Sequence, residues 1–439
     1  MDNNNQIVKG DKKVIKAWIF YDWANSVFPL VITSALFPIF YEKVTETHYG
    51  GKMVEFFGMQ FENTELISYV SAFGFLIISL LSPFLSGIAD YLGNKKRFLQ
   101  FFCFMGGTAT SCLFFFKPDN LEVSFLIYLF AMIGYWNSIV FYNAYLPEIA
   151  ERKDHHSISA RGFSMGYIGG SILLIMCLIG YLGFGMPVKY SFLLTGLWWI
   201  GFSFVTYAKL PNTSKPEFKP KGYIWTGYRE LKKVWDESRK TVRLKRYLTS
   251  FFLFSMGVQT VMIMAAYFGA DMEIISWGTE EYKTTGLIIS ILLIQFIAVL
   301  GAYLCSKGAQ KYGDKITLLV VLFLWCVLCT CGLWVTTPMQ FYFVAAFVGL
   351  VMGGVQALSR SIYSQYLPDT KDTASYFSFY DVSEKIGIAI GTLAYGLIEG
   401  LTGSMRNSLF ALIVFFVLGA IFLLRVPKEE VEFEHTTNK

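Results

Sequence analysis

The sequence predicts an all-α membrane protein with twelve transmembrane helices in two pseudo-symmetric six-helix bundles. Three observations carry that expectation. Of 439 residues, 54% are hydrophobic and only 16% charged, with a mean hydropathy of +0.47, whereas a water-soluble chain carries about a quarter charged residues. Apolar stretches of roughly 20 residues, the length that crosses a hydrocarbon core about 30 Å thick, recur along the whole chain. The second half of the sequence also echoes the first.

Taken in order, the spans fall at 17–40, 66–89, 98–116, 121–146, 162–182 and 188–208, and then at 248–270, 284–306, 316–335, 341–362, 376–397 and 408–425. The expected organisation is therefore one bundle over 1–208, a basic cytoplasmic linker over 209–247, and a second bundle with a short cytoplasmic tail over 248–439. The polar start "MDNNNQIVKGDKKVIK" leads into a span too long for a signal h-region, so the first helix is expected to remain as an anchor. All seven cysteines lie within apolar runs without metal-ligand partners nearby, which predicts neither disulfides nor a metal site.

Charge sets the orientation. With the N-terminus inside, inner segments hold 29 of the 37 Lys and Arg, outer loops hold six, and Arg360 and Lys385 lie within spans. Twelve basic residues fall between Lys209 and Arg246 alone. An excess of Lys and Arg marks the cytoplasmic side, so both termini are expected there. Outer loops 41–65 and 271–283 are instead rich in Glu. Short loops and no large outer domain suggest a bacterial inner membrane.

The internal repeat is visible in short strings. "YLPE" (Tyr145 to Glu148) ends the fourth span and "YLPD" (Tyr366 to Asp369) the tenth, 221 residues later. The same offset sets Gly166 on Gly387 and Gly170 on Gly391, and an offset of 220 sets "SGIADYLGNK" (Ser86 to Lys95) on "SKGAQKYGDK" (Ser306 to Lys315). Two parallel halves of this kind place a substrate cavity between them near the membrane midplane and transport by rocking.

"SGIADYLGNKKR" resembles the loop between the second and third helices of the major facilitator superfamily. In its own chemistry, Gly87 and Gly93 allow close approach and a tight turn, and Asp90 suits a helix N-terminus. The resemblance implies a conformational latch: Asp90 faces the eleventh helix, and a basic residue reaches the acid at the end of the fourth, here Glu148. Asn94 stands where a basic residue is usual, so Lys95 is expected to serve, with Lys96 and Arg97 pinning the loop to the inner face. The second copy carries Gln310 in place of the aspartate, implying a weaker latch. The plainer reading of the stretch is a solvated, positively charged turn.

"YDWANSVF", "FYNAYLPEIA", "GGVQALSRSIYSQYLPD" and "FSFYDVSEKIG" together resemble the vacuole effluxer-like branch of that superfamily, whose fungal members export amino acids. The resemblance spans most of the chain and implies efflux of a small polar solute. Asp381 and Glu384 depart from the family pattern of an amide and a small residue. "GFSMGYIGG" resembles the glycine-rich stretch of drug:proton antiporters, with Tyr167 where those have Pro.

Ionisable residues inside spans are expensive, and each is a candidate for function. Asp22, Asn25 and Ser26 share a helical face by the i, i+3, i+4 rule. Asp22 either takes a coupling proton or substrate amine at a wet cleft, or forms a salt bridge or cap at the cytoplasmic gate. Arg360 stays charged and needs an acid or an anionic substrate group. Asp381, Glu384 and Lys385 share one side of the eleventh helix. The two acids are expected to face Arg360 and Lys385, either as a site for a zwitterion or as a self-neutralised network. Asn143 and Gln356 complete the candidate substrate or proton site, with Asn143 also suited to hydrogen bonding between helices. His155 and His156 are placed in a cytoplasmic loop without a role.

The function expected is therefore secondary active transport by alternating access, with proton coupling and a monomer embedded in the bilayer. The alternatives are a polytopic membrane enzyme or a receptor retaining the same fold. The first lacks a catalytic cluster, since all four His fall outside the spans, and the second leaves costly charges unused. No phosphate-binding glycine loop with a following Lys-Ser/Thr is present, which disfavours ATP hydrolysis. No cofactor and no nucleic acid is expected.

Overall fold

A computed structural model describes residues 9–212, 229, 232–237, 241–271 and 274–429. Most of the expected linker lies outside the described residues. Twelve long helices are found among those described: α1 Lys12–Tyr49, α2 Asn63–Leu92, α3 Lys95–Phe115, α4 Leu121–Ile149, α5 Arg152–Gly183, α6 Lys189–Tyr207, α7 Val242–Ala270, α8 Glu280–Tyr312, α9 Asp314–Gly332, α10 Pro338–Tyr366, α11 Thr373–Thr402 and α12 Met405–Leu424. Ten of them are long and apolar enough to cross a membrane by composition alone. The other two are α6 and α11, and α11 carries Asp381, Glu384 and Lys385 in its midst.

Several helices outrun the apolar windows read from the sequence. At 1.5 Å per residue, the 30 residues of α2 and α11 reach about 45 Å, well beyond a 30 Å core. Their ends are made by local chemistry that hydropathy does not report. Asp11 caps α1 by accepting the Lys13 N–H at 2.7 Å, and Thr337 with Gln340 forms a capping box on α10. Proline lacks the N–H an α-helix needs, and α1 loosens to a π pattern over Phe28–Leu36, which contains Pro29.

One departure from an all-α chain lies in the loop after α1. Strands β1 Met53–Phe56 and β2 Met59–Glu62 pair antiparallel around Phe57 and Gly58, both with positive φ (49° and 74°), as a type I′ turn requires. The Phe57 N–H is held by the Glu122 carboxylate at 2.9 Å.

The repeat is written into the packing. In the first half α1 packs on α5 and α6, α3 on α4 and α6, and α2 on α4; in the second, α7 packs on α11 and α12, α9 on α10 and α12, and α8 on α10. Each contact recurs six helices later. The matched glycines also do the same job: a Cβ at Gly166 would meet the Ser26 hydroxyl at 2.3 Å, and one at Gly387 would meet the Ser255 hydroxyl at 3.0 Å. Close approach of small residues is how helices associate in lipid, where no hydrophobic drive separates protein from solvent. Between the halves, α2 packs on α11 and α5 on α8, a pair of seams again related by the six-helix shift. Large apolar side chains such as Phe73, Leu80, Phe323, Phe343 and Leu393 remain more than half exposed around the bundle. In water such a surface would be a liability; in a multi-pass membrane protein it is the lipid face.

Candidate functional site: a charged seam between the two halves

At the face where the chain enters α1 and leaves α12, the halves are joined by a polar cluster. Gly93 ends α2 in a left-handed conformation (φ 61°), which glycine adopts without steric cost. That turn brings Asp90 against the first turn of α11. The Asp90 carboxylate accepts the N–H groups of Ala374 (3.2 Å) and Ser375 (2.7 Å) and the Ser375 hydroxyl (2.7 Å), so it satisfies free donors and the positive end of the helix dipole.

Lys95, fully buried at the start of α3, places its ammonium 3.1 Å from Asp90 and in an ion pair with Glu148. It also donates to the Thr373 hydroxyl at 2.7 Å and to the Lys371 carbonyl at 2.8 Å. A buried charge is tolerated only when paired and hydrogen-bonded, and Lys95 is both. It stands where the sequence reading put it, in place of the residue missing at Asn94. Arg97 is exposed and outside the cluster, and Gly87 is buried within α2. Arg152 adds a bridge to Asp369 (3.0 Å) and to the Leu367 carbonyl (3.1 Å).

The second copy of the loop, for which a weaker latch is expected, carries a different contact. Gln310 is not replaced in kind; Asp314, four residues on, has its Oδ1 2.7 Å from His156 Nε2, while His156 Nδ1 lies 2.8 Å from the Ser361 hydroxyl. The two histidines expected in a loop instead open the regular part of α5 at His155 and are buried. Hydropathy cannot detect this, because His155 is held by the Ala150 carbonyl and His156 by partners on the other half.

Deeper in, Arg360 of α10 crosses the seam. One guanidinium nitrogen lies 3.1 Å from the Asp22 carboxylate and 2.9 Å from the Ser159 carbonyl, Nε donates to the Ser159 hydroxyl (2.9 Å), and Nη1 to the Asn143 amide oxygen (3.4 Å). The Tyr142 hydroxyl donates to the same Asp22 oxygen at 2.8 Å. The guanidinium also lies over the Phe163 ring, 4.0 Å from its centroid, an attractive arrangement for a cation. Asp22 is 4% and Arg360 3% exposed.

One expectation is corrected here, and of the two readings of Asp22 the salt bridge is the one found. Arg360 is balanced by Asp22 of the other half, and not by Asp381 or Glu384. The face shared by Asp22, Asn25 and Ser26 does not line an open cleft: Asn25 is fully buried, and Gly162 and Gly166 of α5 close over Asp22 and Ser26.

The α11 charges form a separate group. Lys385 pairs with Asp381 one turn earlier, and its ammonium sits 4.1 Å from the centroid of Trp136 on α4. Glu384, half-buried, accepts a hydrogen bond from the Gln259 amide of α7. Among the described residues no cation stands within salt-bridge distance of Glu384. Eleven residues into α11, it lies about 16 Å from that helix end. Gln356 meets the Tyr167 hydroxyl at 2.6 Å, and among the described residues no hydrogen bond joins the halves nearer the opposite face than this one. Ser159, Gln259 and Trp136 carry no expectation from the sequence, and Tyr167 enters there only as a departure from the glycine-rich pattern. Of these, only Gln259, an amide inside an apolar run, carries a signal of its own.

The arrangement brings together paired charges that hold two halves shut at one end, and one unpaired carboxylate near mid-span. Residues 10–434 match the profile of the family described as "Vacuole effluxer Atg22 like". The chain is 29% identical to an uncharacterized MFS-type transporter, YxiO, of Bacillus subtilis, over 96% of this chain and 97% of that one. Its fold is similar to that of the human organic anion transporter MFSD10 (TM-score 0.72, 12% identity, 95% of this chain and all of that one). It is also similar to a bacterial homologue of the iron transporter ferroportin in an outward-facing state (TM-score 0.65, 12% identity, 95% and 99% covered). Twinned bundles, a charged seam and a family match over nearly the whole length give one conclusion: the chain belongs to the vacuole effluxer Atg22-like family and is a transporter of the major facilitator superfamily, not an enzyme.

Proposed function

We propose that the protein is a secondary active transporter that exports a small zwitterionic solute of the amino-acid class in exchange for protons. Residues 1–208 and 248–439 act as the two rocking bodies, tied by the linker 209–247, in a monomer. The observation that carries this reading is Glu384: a membrane-embedded carboxylate without a salt-bridge cation, partly exposed, and adjacent to the Lys385–Asp381 pair. An unneutralised acid at that depth is costly unless it takes up protons or cations. Protonated, it is neutral; ionised, it attracts a substrate ammonium, while Lys385 can exchange Asp381 for a substrate carboxylate. The positive-inside pattern supports a cytoplasmic assignment for the face bearing the termini, in a bacterial plasma membrane. The seam closed at that face supports an outward-facing conformation, with Asp90, Lys95 and Glu148 as the latch and Asp22–Arg360 as the inner gate.

The test is counterflow and gradient-driven flux in proteoliposomes, screened with labelled amino acids. Wild type should move at least one amino acid against its gradient when a pH gradient is imposed, and Glu384→Gln should lose that accumulation while keeping exchange. Undiminished pH-driven accumulation by Glu384→Gln would remove the coupling role from this residue.

A further inference from the structure

Between the Lys95 latch and the N-terminal end of α1 lies a cavity of about 440 Å³ that the transport reading does not use. Six of its lining residues define its chemistry: Lys9, Arg152 and His155 from the first half, and Ser364, Asp369 and Lys371 from the second. Two of these are buried with unused hydrogen-bonding atoms. His155 is 1% exposed, with Nε2 3.2 Å from the Ala150 carbonyl. That contact needs Nε2–H as donor, which leaves Nδ1 of the neutral ring as an acceptor, and Nδ1 has no partner. Ser364 is 2% exposed, and its hydroxyl has no partner either. Each such orphan costs about 1–3 kcal/mol, so two of them on residues that line one cavity call for an explanation. The rim carries Lys9, Arg152 and Lys371 against a single acid, Asp369, which Arg152 already engages.

We infer that this cavity binds a phosphate group that retains a proton, as inorganic phosphate or as a phosphomonoester. Its P–OH donates to His155 Nδ1, one oxygen accepts from Ser364, and the remaining negative charge faces Arg152, Lys9 and Lys371. Arginine and lysine are the usual cations for phosphate. The His155 acceptor adds a selectivity that a general basic patch lacks, because sulfate has no proton to offer it. The volume leaves room for an organic substituent on the phosphate. Both halves build the site, so on the transport reading occupancy favours the conformer closed at this face and slows turnover, since a ligand shifts an equilibrium toward the state it binds better. Binding itself does not depend on that reading.

The experiment follows thermal unfolding and calorimetric binding of the purified full chain with sodium phosphate, sodium sulfate or sodium chloride at constant ionic strength. Phosphate should stabilise the protein saturably and bind at least about tenfold more tightly than sulfate, the worth of one charge-assisted hydrogen bond. Ser364→Ala and the exposed Lys371→Gln should each weaken phosphate binding several-fold. The latter is a surface change expected to leave the fold intact. Equal responses to phosphate and sulfate, or unchanged affinity in Lys371→Gln, would overturn the assignment. Nanodiscs of phosphatidylcholine with and without phosphatidic acid separate the sources: a phosphate response lost in the phosphatidic acid discs assigns the site to a lipid headgroup, and one retained assigns it to a soluble phosphate. Because binding is read without flux, failure of a transport assay leaves this test standing, and the reverse holds.

Discussion

Arg360 and Asp22 show how a residue's cost is set by what it would leave behind. Both are almost completely buried, so removing one charge strands the other in a low-dielectric seam, at a cost of about 3–5 kcal/mol. Arg360→Gln should therefore lower thermal stability in detergent sharply, and Asp22→Asn should do so as well. The double variant Asp22→Asn/Arg360→Gln should recover much of the loss, because two amides of similar shape can bond each other. Stability losses that simply add in the double variant would mean the pair is not coupled. Lys95 makes a parallel case. Lys95→Met leaves Asp90 and Glu148 facing each other without their shared cation, so it should favour opening at this face. A cysteine reporter at Ser375, where Asp90 now accepts bonds, should then label faster with a maleimide than in the Lys95 background.

At the scale of elements, the helices are placed by glycine. A Cβ at Gly134 of α4 would stand 2.3 Å from the Gly106 Cα of α3, a backbone-to-backbone clash that no rotamer change relieves. Gly134→Val should cost about 1–3 kcal/mol through overpacking and lower the melting temperature, whereas Gly201→Ala on α6, whose Cβ would meet nothing within 4 Å, should be neutral or stabilising. Equal melting temperatures for the two variants would refute tight α3–α4 packing as a source of stability. The N-terminus of α11 is the complementary case. Its capping comes from Asp90 on α2, so the start of the helix and the closure of the seam are one interaction.

For the whole molecule, alternating access requires the seam to open. Arg152 and Asp369 approach across it at an exposed position, and Cys331 is the exposed one of the seven free cysteines. In a Cys331→Ser background, Arg152→Cys/Asp369→Cys joined by a short thiol-reactive, reducible cross-linker should stop turnover, and reduction should restore it. Full flux in the cross-linked protein would sink the rocking mechanism.

Much of this was legible along the chain, and the rest was not, for a reason that particular residues make plain. Twelve spans, two halves and the Asp90–Lys95–Glu148 group could be read because each depends on runs or spacings of neighbouring residues, and burial in lipid requires those runs wherever the helix sits. Even the glycine match of 166 with 387 is a one-dimensional signal. The partner of Arg360 is not legible along the chain because it lies 338 residues away, on a helix whose facing side no local pattern announces. His156 looks solvated for the same reason: its partners, Asp314 and Ser361, belong to the opposite half. The type I′ hairpin at Phe57 depends on a backbone turn that apolar periodicity does not encode. Sequence alone determined which segments are apolar enough to leave water, since transfer into lipid is paid segment by segment. Only the tertiary structure decided which charges neutralise one another, because Coulomb energy depends on the distance between helix faces that meet in space.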